Sequence, residues 1–292
     1  MSRRSWWLGV VLAPLAGFQL VAVASYLGEQ RTLEAYMNRV TQASQAPSEQ
    51  AKEIVLSLKN KPDEGNDSYF LLPIFRPLRP TASQVIESGG DCADRSRLVI
   101  TLLNLRGIHA TKWALYNAKG ESKHAVVEAD VETGKMVLDP LFGIWFPKPQ
   151  GGYFAIRELR QDPNILLDRL KELRAEKVNQ GAGRLEFYPT TDYIYANART
   201  INWTKTATMR DTFSVLHRMM GERADALHRP GFVEEPALMV IYGLAVLEVF
   251  LILLWLVMRR LTKKRTAEGS FPGSTKTRDT RSFPTAPLER SS

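Results

Sequence analysis

Two long apolar segments, residues 6–27 and 236–258, separate a polar middle part of the chain from its two ends. Each is about 20 residues long, which is enough for a helix to span a bilayer. The first segment contains Ala22-Val23-Ala24, a small-residue pattern of the kind that signal peptidase cleaves. Its apolar stretch exceeds the roughly 7–15 residues of a signal-peptide core, which favours an uncleaved transmembrane anchor over a signal peptide.

The formal net charge of +8 lies at the ends of the chain, outside the two apolar segments. Nine Lys and Arg against three Asp and Glu follow Met258, and Arg3 and Arg4 precede the first segment. Such basic flanks stay in the cytoplasm, so residues 1–5 and 259–292 are predicted to be cytoplasmic. The soluble middle part is then extracytoplasmic, with a bacterial inner membrane and periplasm as the default. Its charge is balanced, which does not favour nucleic-acid binding.

The middle of the chain divides into three parts. Residues 28–80 show helical apolar spacing up to about residue 61, followed by a proline-rich stretch at 70–80 that is predicted to be extended. Residues 81–147 contain one helical pattern and three strand patterns separated by turns. Residues 148–235 are predicted to be a mainly helical extension around an aromatic-rich stretch, with these parts: a helix at 162–178, a break at 180–183, the aromatic stretch at 184–204 and a helix at 209–220. The aromatic stretch is interpreted as strands or as a surface on the substrate side. The tail after the second apolar segment is rich in Ser, Thr, Pro and charge, which predicts disorder.

The residues Gly89-Gly90-Asp91-Cys92 lead into an apolar helical pattern that ends at Gly107. Asp91 is a typical capping residue, so Cys92 is predicted in the first helical turn. The positive end of the helix dipole stabilises a thiolate there, and the unpaired N–H groups suit the oxyanion of an acyl-transfer reaction. Cys92 is the one cysteine in the sequence, so no intramolecular disulfide forms.

His124 opens the second predicted strand and Asp139 ends the third. Pairing of these strands would set Asp139 beside His124, while the helix packs across them and presents Cys92. The imidazole would then take the thiol proton and the carboxylate would orient the ring. Each residue alone has a structural explanation, because a lone cysteine is most often a small buried hydrophobe. Their order on helix, strand and strand favours a catalytic trio.

These motifs resemble the transglutaminase-like superfamily of thiol enzymes. The resemblance covers about residues 81–147 and rests on these pieces: Gly90-Asp91-Cys92 at a helix start, Leu103-Asn-Leu-Arg-Gly-Ile-His-Ala110, His124-Ala-Val-Val-Glu128 and Leu138-Asp-Pro140. It implies an α+β fold with a papain-like core, in which a helix packs on a small antiparallel sheet. Flanking helices and two transmembrane helices complete the predicted architecture.

The resemblance also implies an activity. Family members use a Cys–His–Asp triad, here Cys92, His124 and Asp139, and act on amides through a thioester acyl-enzyme. The acyl group passes to water in a peptidase or amidase, or to an amine in a cross-linking enzyme. The expected substrate is a peptide or amide-bearing component of the cell envelope. The alternative is a non-catalytic module that binds such material as a scaffold in an envelope assembly.

Two positions depart from the family pattern. Val126 stands two residues after the histidine, where family members often have a tryptophan that shields the site. No clear side chain for an oxyanion hole emerges either. Gln84 lies shortly before the helix and is a candidate for this role, although a solvated loop glutamine is the commoner explanation. Asp94 and Arg95 are interpreted as a structural ion pair or exposed helix surface.

Glu248 interrupts the second apolar segment near its middle. A carboxylate there costs about 2–3 kcal/mol on insertion scales and generally finds a partner. Contact with a helix of another membrane protein and a protonated, tolerated glutamate are both open. The remaining histidines (His109, His217 and His228) show no ligand pattern with Cys or acidic residues, so no metal and no cofactor are predicted.

Overall fold

The computed structural model describes residues 3–63, 79–176, 185, 188–227 and 229–268. Its α-helices are α1 (Arg3–Val40), α2 (Pro47–Leu58), α3 (Ala82–Ser88), α4 (Cys92–Leu105), α5 (Ile156–Gln161), α6 (Asn164–Ala175), α7 (Ala207–Met220) and α8 (Pro236–Glu268). Its strands are β1 (Ala110–Tyr116), β2 (Ser122–Val131), β3 (Gly134–Asp139), β4 (Ile144–Trp145) and β5 (Ile194–Arg199). Two 3-10 turns, Gly221–Ala226 and Gly231–Glu234, precede α8. The protein is therefore α+β, as the sequence predicted.

The five strands form one antiparallel sheet in the order β4-β3-β2-β1-β5. Local turns produce the central hairpins, because the Asn117 side chain accepts the N–H groups of Lys119 and Glu121 at the β1–β2 turn. The predicted turn before β3 is also present, with Gly134 at a φ of 116° that favours glycine. The fifth strand lies within the aromatic stretch 184–204, for which strands were one of two interpretations. It comes from the part expected to be mainly helical, so that part also completes the sheet.

Helices cover both faces of the sheet. Alternate residues of a strand point to opposite faces, so Val127 and Ala129 of β2 face α4 and α2, while Val126 faces the other side. The first core also contains the second half of α1, and the second core contains α5, α6 and several aromatic residues. The segments on either side of residues 81–147 therefore build the same hydrophobic core as the predicted catalytic part.

Arg95 joins the loop after α2 to the start of α4. Its side chain is fully buried, and its guanidinium donates to the carbonyl groups of Gly90, Leu58, Lys61 and Pro62 and to the Asp63 carboxylate, at 2.6–2.9 Å. The expectation of an Arg95–Asp94 pair or an exposed position was wrong, because the buried Arg95 side chain is bonded to the chain after α2 and pairs with Asp63. Gly89 sits nearby at a φ of 82°, and a Cβ there would lie 2.2 Å from the Pro62 carbonyl oxygen.

The first apolar segment and the helix predicted to follow it form a single helix, α1. Its C-terminal half enters the soluble core, where Leu33 and Met37 are fully buried. Two helical stretches, Val10–Val40 and Pro236–Leu261, are long and apolar enough to cross a membrane, with mean hydropathies of 1.9 and 2.6. Only 6% of each apolar window is buried inside the molecule, which is consistent with membrane association.

The boundaries of the other segments differ in part from the predictions. Helix α8 continues to Glu268, so the first ten residues of the predicted disordered tail are helical. The predicted helix at 209–220 is confirmed as α7, and the one at 162–178 begins at Asn164 as α6. Most of the proline-rich stretch, the predicted break at 180–183 and the tail from residue 269 lie outside the described residues.

Polar side chains link α1 to α8 and to the soluble domain. In the amide orientation that satisfies its hydrogen bonds, Gln19 donates to both carboxylate oxygens of Glu248, at 2.9 and 3.2 Å. Further along α1, towards its C-terminal end, Gln30 donates to Glu235 at 3.2 Å, and the Glu29 carboxylate accepts from the main-chain N–H and the hydroxyl of Ser83. The partner that Glu248 requires within the apolar segment is therefore present in the same chain.

Replacing Arg95 by Met is expected to lower the free energy of unfolding by about 3 kcal/mol, because buried carbonyl groups lose their donors. Urea titration of the full chain in detergent measures the change. Arg157 is an exposed arginine on α5, and Arg157→Met is the matched control with an expected effect below about 0.5 kcal/mol. Equal effects of the two substitutions would show that the loop does not depend on the buried guanidinium.

Candidate functional site

Cys92 is the first residue of α4, as predicted. The Asp91 side chain caps this helix by accepting the main-chain N–H of Asp94 at 2.8 Å, and Arg79 lies 3.2 Å from the second carboxylate oxygen. The first N–H groups of a helix have no intrahelical acceptor, so those of Cys92 and Ala93 point towards the space before the helix. The Cys92 side chain is partly exposed to this space.

The register of β2 against β3 brings His124 and Asp139 together. Val127 pairs with Leu138, so Asp139 comes opposite Val126 in the next position. His124 and Val126 share one face of β2, which makes His124 and Asp139 diagonal neighbours on that face. The His124 Nε2 and an Asp139 carboxylate oxygen are 2.7 Å apart, and both side chains are fully buried.

Four donors satisfy the buried Asp139 carboxylate. One oxygen accepts the main-chain N–H groups of Leu141 and Phe142, at 3.1 and 3.2 Å. The other oxygen faces His124 and also accepts from the Tyr188 hydroxyl at 3.2 Å. The two main-chain contacts belong to the turn that directly follows β3, so the carboxylate is held by its own chain while it orients the histidine.

Aromatic rings enclose His124. The Tyr193 ring stacks on the imidazole with centroids 4.1 Å apart and an interplanar angle of 9°, and Phe142 meets it edge-on at 5.7 Å. Burial raises the pKa of Tyr193 to about 12, with further contributions from Cys92 and Asp139. These rings supply the shielding that Val126 does not, since Val126 packs inside the second core.

His124 is oriented between Asp139 and Cys92. Its Nδ1 atom is buried and makes no regular hydrogen bond within the described part of the chain. Burial lowers the pKa of His124, but the Asp139 carboxylate and, to a smaller extent, the Cys92 side chain outweigh this and raise it to about 10. The Asp139 carboxylate therefore favours the charged imidazolium form of His124.

Ser96 holds α4 against β2 next to the two reactive side chains. Its hydroxyl lies 2.7 Å from the Cys92 carbonyl oxygen and 3.2 Å from that of Ala125, the neighbour of His124. A single buried side chain thus contacts the main chain at both positions, which fixes the distance between helix and strand.

The structure brings Cys92, His124 and Asp139 together but does not bring Gln84 to them. Gln84 lies in α3, where its side chain accepts the Thr81 N–H at 2.8 Å and the Thr81 hydroxyl accepts its main-chain N–H. The amide is thus used as a helix cap, and Gln84 does not line the cavity at Cys92. Tyr188 contacts Asp139 and Tyr193 stacks on His124. The sequence placed both in an aromatic stretch interpreted as strands or a substrate-side surface, but assigned neither an individual role in the site.

A cavity of about 690 Å³ opens at Cys92 and His124. Its walls come from the start of α4, from β1 and β2 and from the first turn of α8, where Pro236 and Met239 contribute. Six cationic side chains line it: Arg79, Arg97, Lys112, Lys123, Lys205 and Arg229. Cys92 and His124 therefore line a basic cavity whose wall also includes the beginning of α8, one of the two helices long and apolar enough to cross a membrane.

Comparison of the chain with protein-family models, with curated proteins and with solved structures gives no match. Within the described residues, no group of three or more His, Cys, Asp or Glu is placed to hold a metal ion. The interpretation of the site therefore rests on its geometry and on the sequence motifs.

The raised pKa of His124 predicts a pH-dependent stability. Its folded value of about 10 lies above the ordinary 6.5, so its contribution is complete below pH 6.5 and is lost as the pH rises through 10. We expect the stability difference between wild type and His124→Gln to shrink over this range, by at most about 1.4 kcal/mol per pH unit. Urea titrations at several pH values measure it. Parallel stability curves would indicate a neutral imidazole.

Proposed function

We propose that this protein is a membrane-anchored thiol enzyme with a transglutaminase-like core, which acts on amides through Cys92, His124 and Asp139. The observation that carries the proposal is the orientation of His124, with Nε2 on Asp139 and the buried Nδ1 left for Cys92. The same three residue types in the same chain order are what the family motifs require. The position of Cys92 at a helix start adds N–H groups suited to an oxyanion.

In the first half of the reaction, the proton shared by Cys92 and His124 lies on His124 Nδ1, and the Cys92 thiolate attacks the amide carbonyl carbon. The resulting oxyanion accepts hydrogen bonds from the N–H groups at the start of α4. His124 then gives the proton to the departing amine, the C–N bond breaks and a thioester remains on Cys92. Asp139 keeps the ring oriented and stabilises its charged form.

In the second half, water or an amine attacks the thioester, and His124 takes a proton from this attacking water or amine. The C–S bond breaks, the proton returns to the sulfur, and a carboxylic acid or a new amide leaves. With water the protein is a peptidase or amidase, and with an amine it is an acyltransferase. The basic cytoplasmic flanks support a soluble domain on the extracytoplasmic side, so the proposed substrates are peptides or other amides of the cell envelope.

The reactivity of Cys92 tests the proposal directly. In wild type, the rate of alkylation by iodoacetamide is expected to show an inflection well below about pH 8.5, where a free thiol titrates. His124→Ala should remove this inflection, because the imidazolium that stabilises the thiolate is gone. Mass spectrometry of the full chain in detergent measures the extent of alkylation over time. His109→Ala is the matched control, since His109 is exposed and does not line the cavity at Cys92.

Retention of the inflection in His124→Ala would contradict an activated pair. A slow thiol in both proteins would favour the alternative, a non-catalytic module that binds peptide or polymer. Once a cleaved or cross-linked substrate is found, Cys92→Ala should abolish turnover while leaving thermal stability close to that of wild type. Persistent turnover in that variant would refute the enzyme proposal.

A further inference from the structure

The cavity beside Cys92 carries more positive than negative charge. Of the six cationic side chains in its wall, Lys112 and Arg229 share one carboxylate, Glu234, at 2.9 and 2.6 Å. Asp91 and Asp94 lie against Arg79 and Arg97, at 3.2–3.8 Å. The three carboxylates therefore face four cations. Lys123 pairs with Glu121, which is not part of the wall, at 3.0 Å, and Lys205 adds to the surplus of positive charge.

The surplus cations destabilise one another. Burial, together with the charges of Arg229 and Arg97, lowers the pKa of Lys112 to about 8, although Glu234 opposes this shift. Burial also lowers the pKa of Lys205, together with the charges of Arg229 and Arg79. Lys205 makes no ion pair within the described residues. An anion in the cavity would relieve this repulsion, whereas a neutral or cationic ligand would not.

The position of the cavity selects among anions. Pro236 and Met239 belong to the first turns of the membrane-spanning helix α8, and both line the cavity together with Val233. The cavity therefore begins at the level where a bilayer ends, which is where lipid phosphates lie. Arginine guanidinium groups match phosphate oxygens in a bidentate geometry, and the apolar side chains offer contacts for the adjoining glycerol and acyl groups.

We propose that this cavity binds the phosphate-bearing head group of an anionic membrane lipid, which enters from the bilayer beside α8 and reaches Cys92. Binding of the head group depends on the charge and position of the cavity and does not require that Cys92 be catalytic. Its meaning for substrate choice rests on the proposed function: the amide acted on by Cys92 would then be carried by an anionic, membrane-embedded lipid. Such a substrate stays in the plane of the membrane, next to the part of the cavity that Pro236 and Met239 line.

Protection of Cys92 tests this binding. The full chain is placed in nanodiscs of phosphatidylcholine alone or with added phosphatidylglycerol, and the rate of alkylation by uncharged iodoacetamide is measured at pH 8.5. We expect several-fold slower alkylation with phosphatidylglycerol, because the bound head group covers Cys92. Lys205→Gln should lose most of this protection. Lys171→Gln, which removes an exposed lysine of α6, should retain it and controls for the general effect of surface charge on local pH.

Two further arms distinguish other sources of the anion. Millimolar inorganic phosphate or an acidic peptide is added to phosphatidylcholine nanodiscs, and neither is expected to protect Cys92 comparably. Protection by either without phosphatidylglycerol would overturn a lipid site, as would equal protection in Lys205→Gln and Lys171→Gln. These outcomes are independent of the enzyme proposal, since the pH inflection and its loss in His124→Ala are measured without anionic lipid.

Discussion

The pairing of Val127 with Leu138 fixes which side chains of β2 and β3 share a face. Because side chains alternate along a strand, a shift of one residue would place His124 and Asp139 on opposite sides of the sheet. The register is well determined, since the same shift would exchange the side chains that fit the two different cores on either side of the sheet. The stability of the sheet and the geometry of the candidate site therefore depend on the same set of main-chain hydrogen bonds.

The central helix and hairpins could be predicted from local signals, and the reactive trio could be placed from them. Asp91 before Cys92, the turn at Asn117 and the turn before Gly134 all act within a few residues of chain. The contacts that complete the site join distant parts of the chain, as when Tyr193 stacks on His124. No periodicity or turn residue encodes such a contact, so an aromatic-rich composition was the only indication.

Two polar side chains, Arg95 and Gln84, have roles in the structure that differ from those predicted from the sequence. Arg95 follows Cys92 closely in a helix with a polar first turn, which made an exposed position plausible. Four of its five acceptors nevertheless come from residues 58–63, more than 30 residues earlier in the chain. Gln84 was a candidate for the oxyanion hole. Its role in capping α3 together with Thr81 can be recognised only when the first residue of that helix is known. In both cases the side chain satisfies buried or terminal main-chain groups, which is a common use of polar residues near helix ends.

Helix α1 runs without interruption from the apolar segment into the soluble core, where Leu33 and Met37 are fully buried. A domain carried on a flexible linker samples a volume set by the length of that linker. Here a continuous helix takes the place of a linker. Contacts of Glu29 with Ser83 and of Gln30 with Glu235 fix this helix to α3 and to the start of α8, where the apolar segment ends. In the membrane-anchored protein that we propose, Cys92 would stay at a constant height above the bilayer, and material anchored farther away would have to bend towards the membrane to reach it.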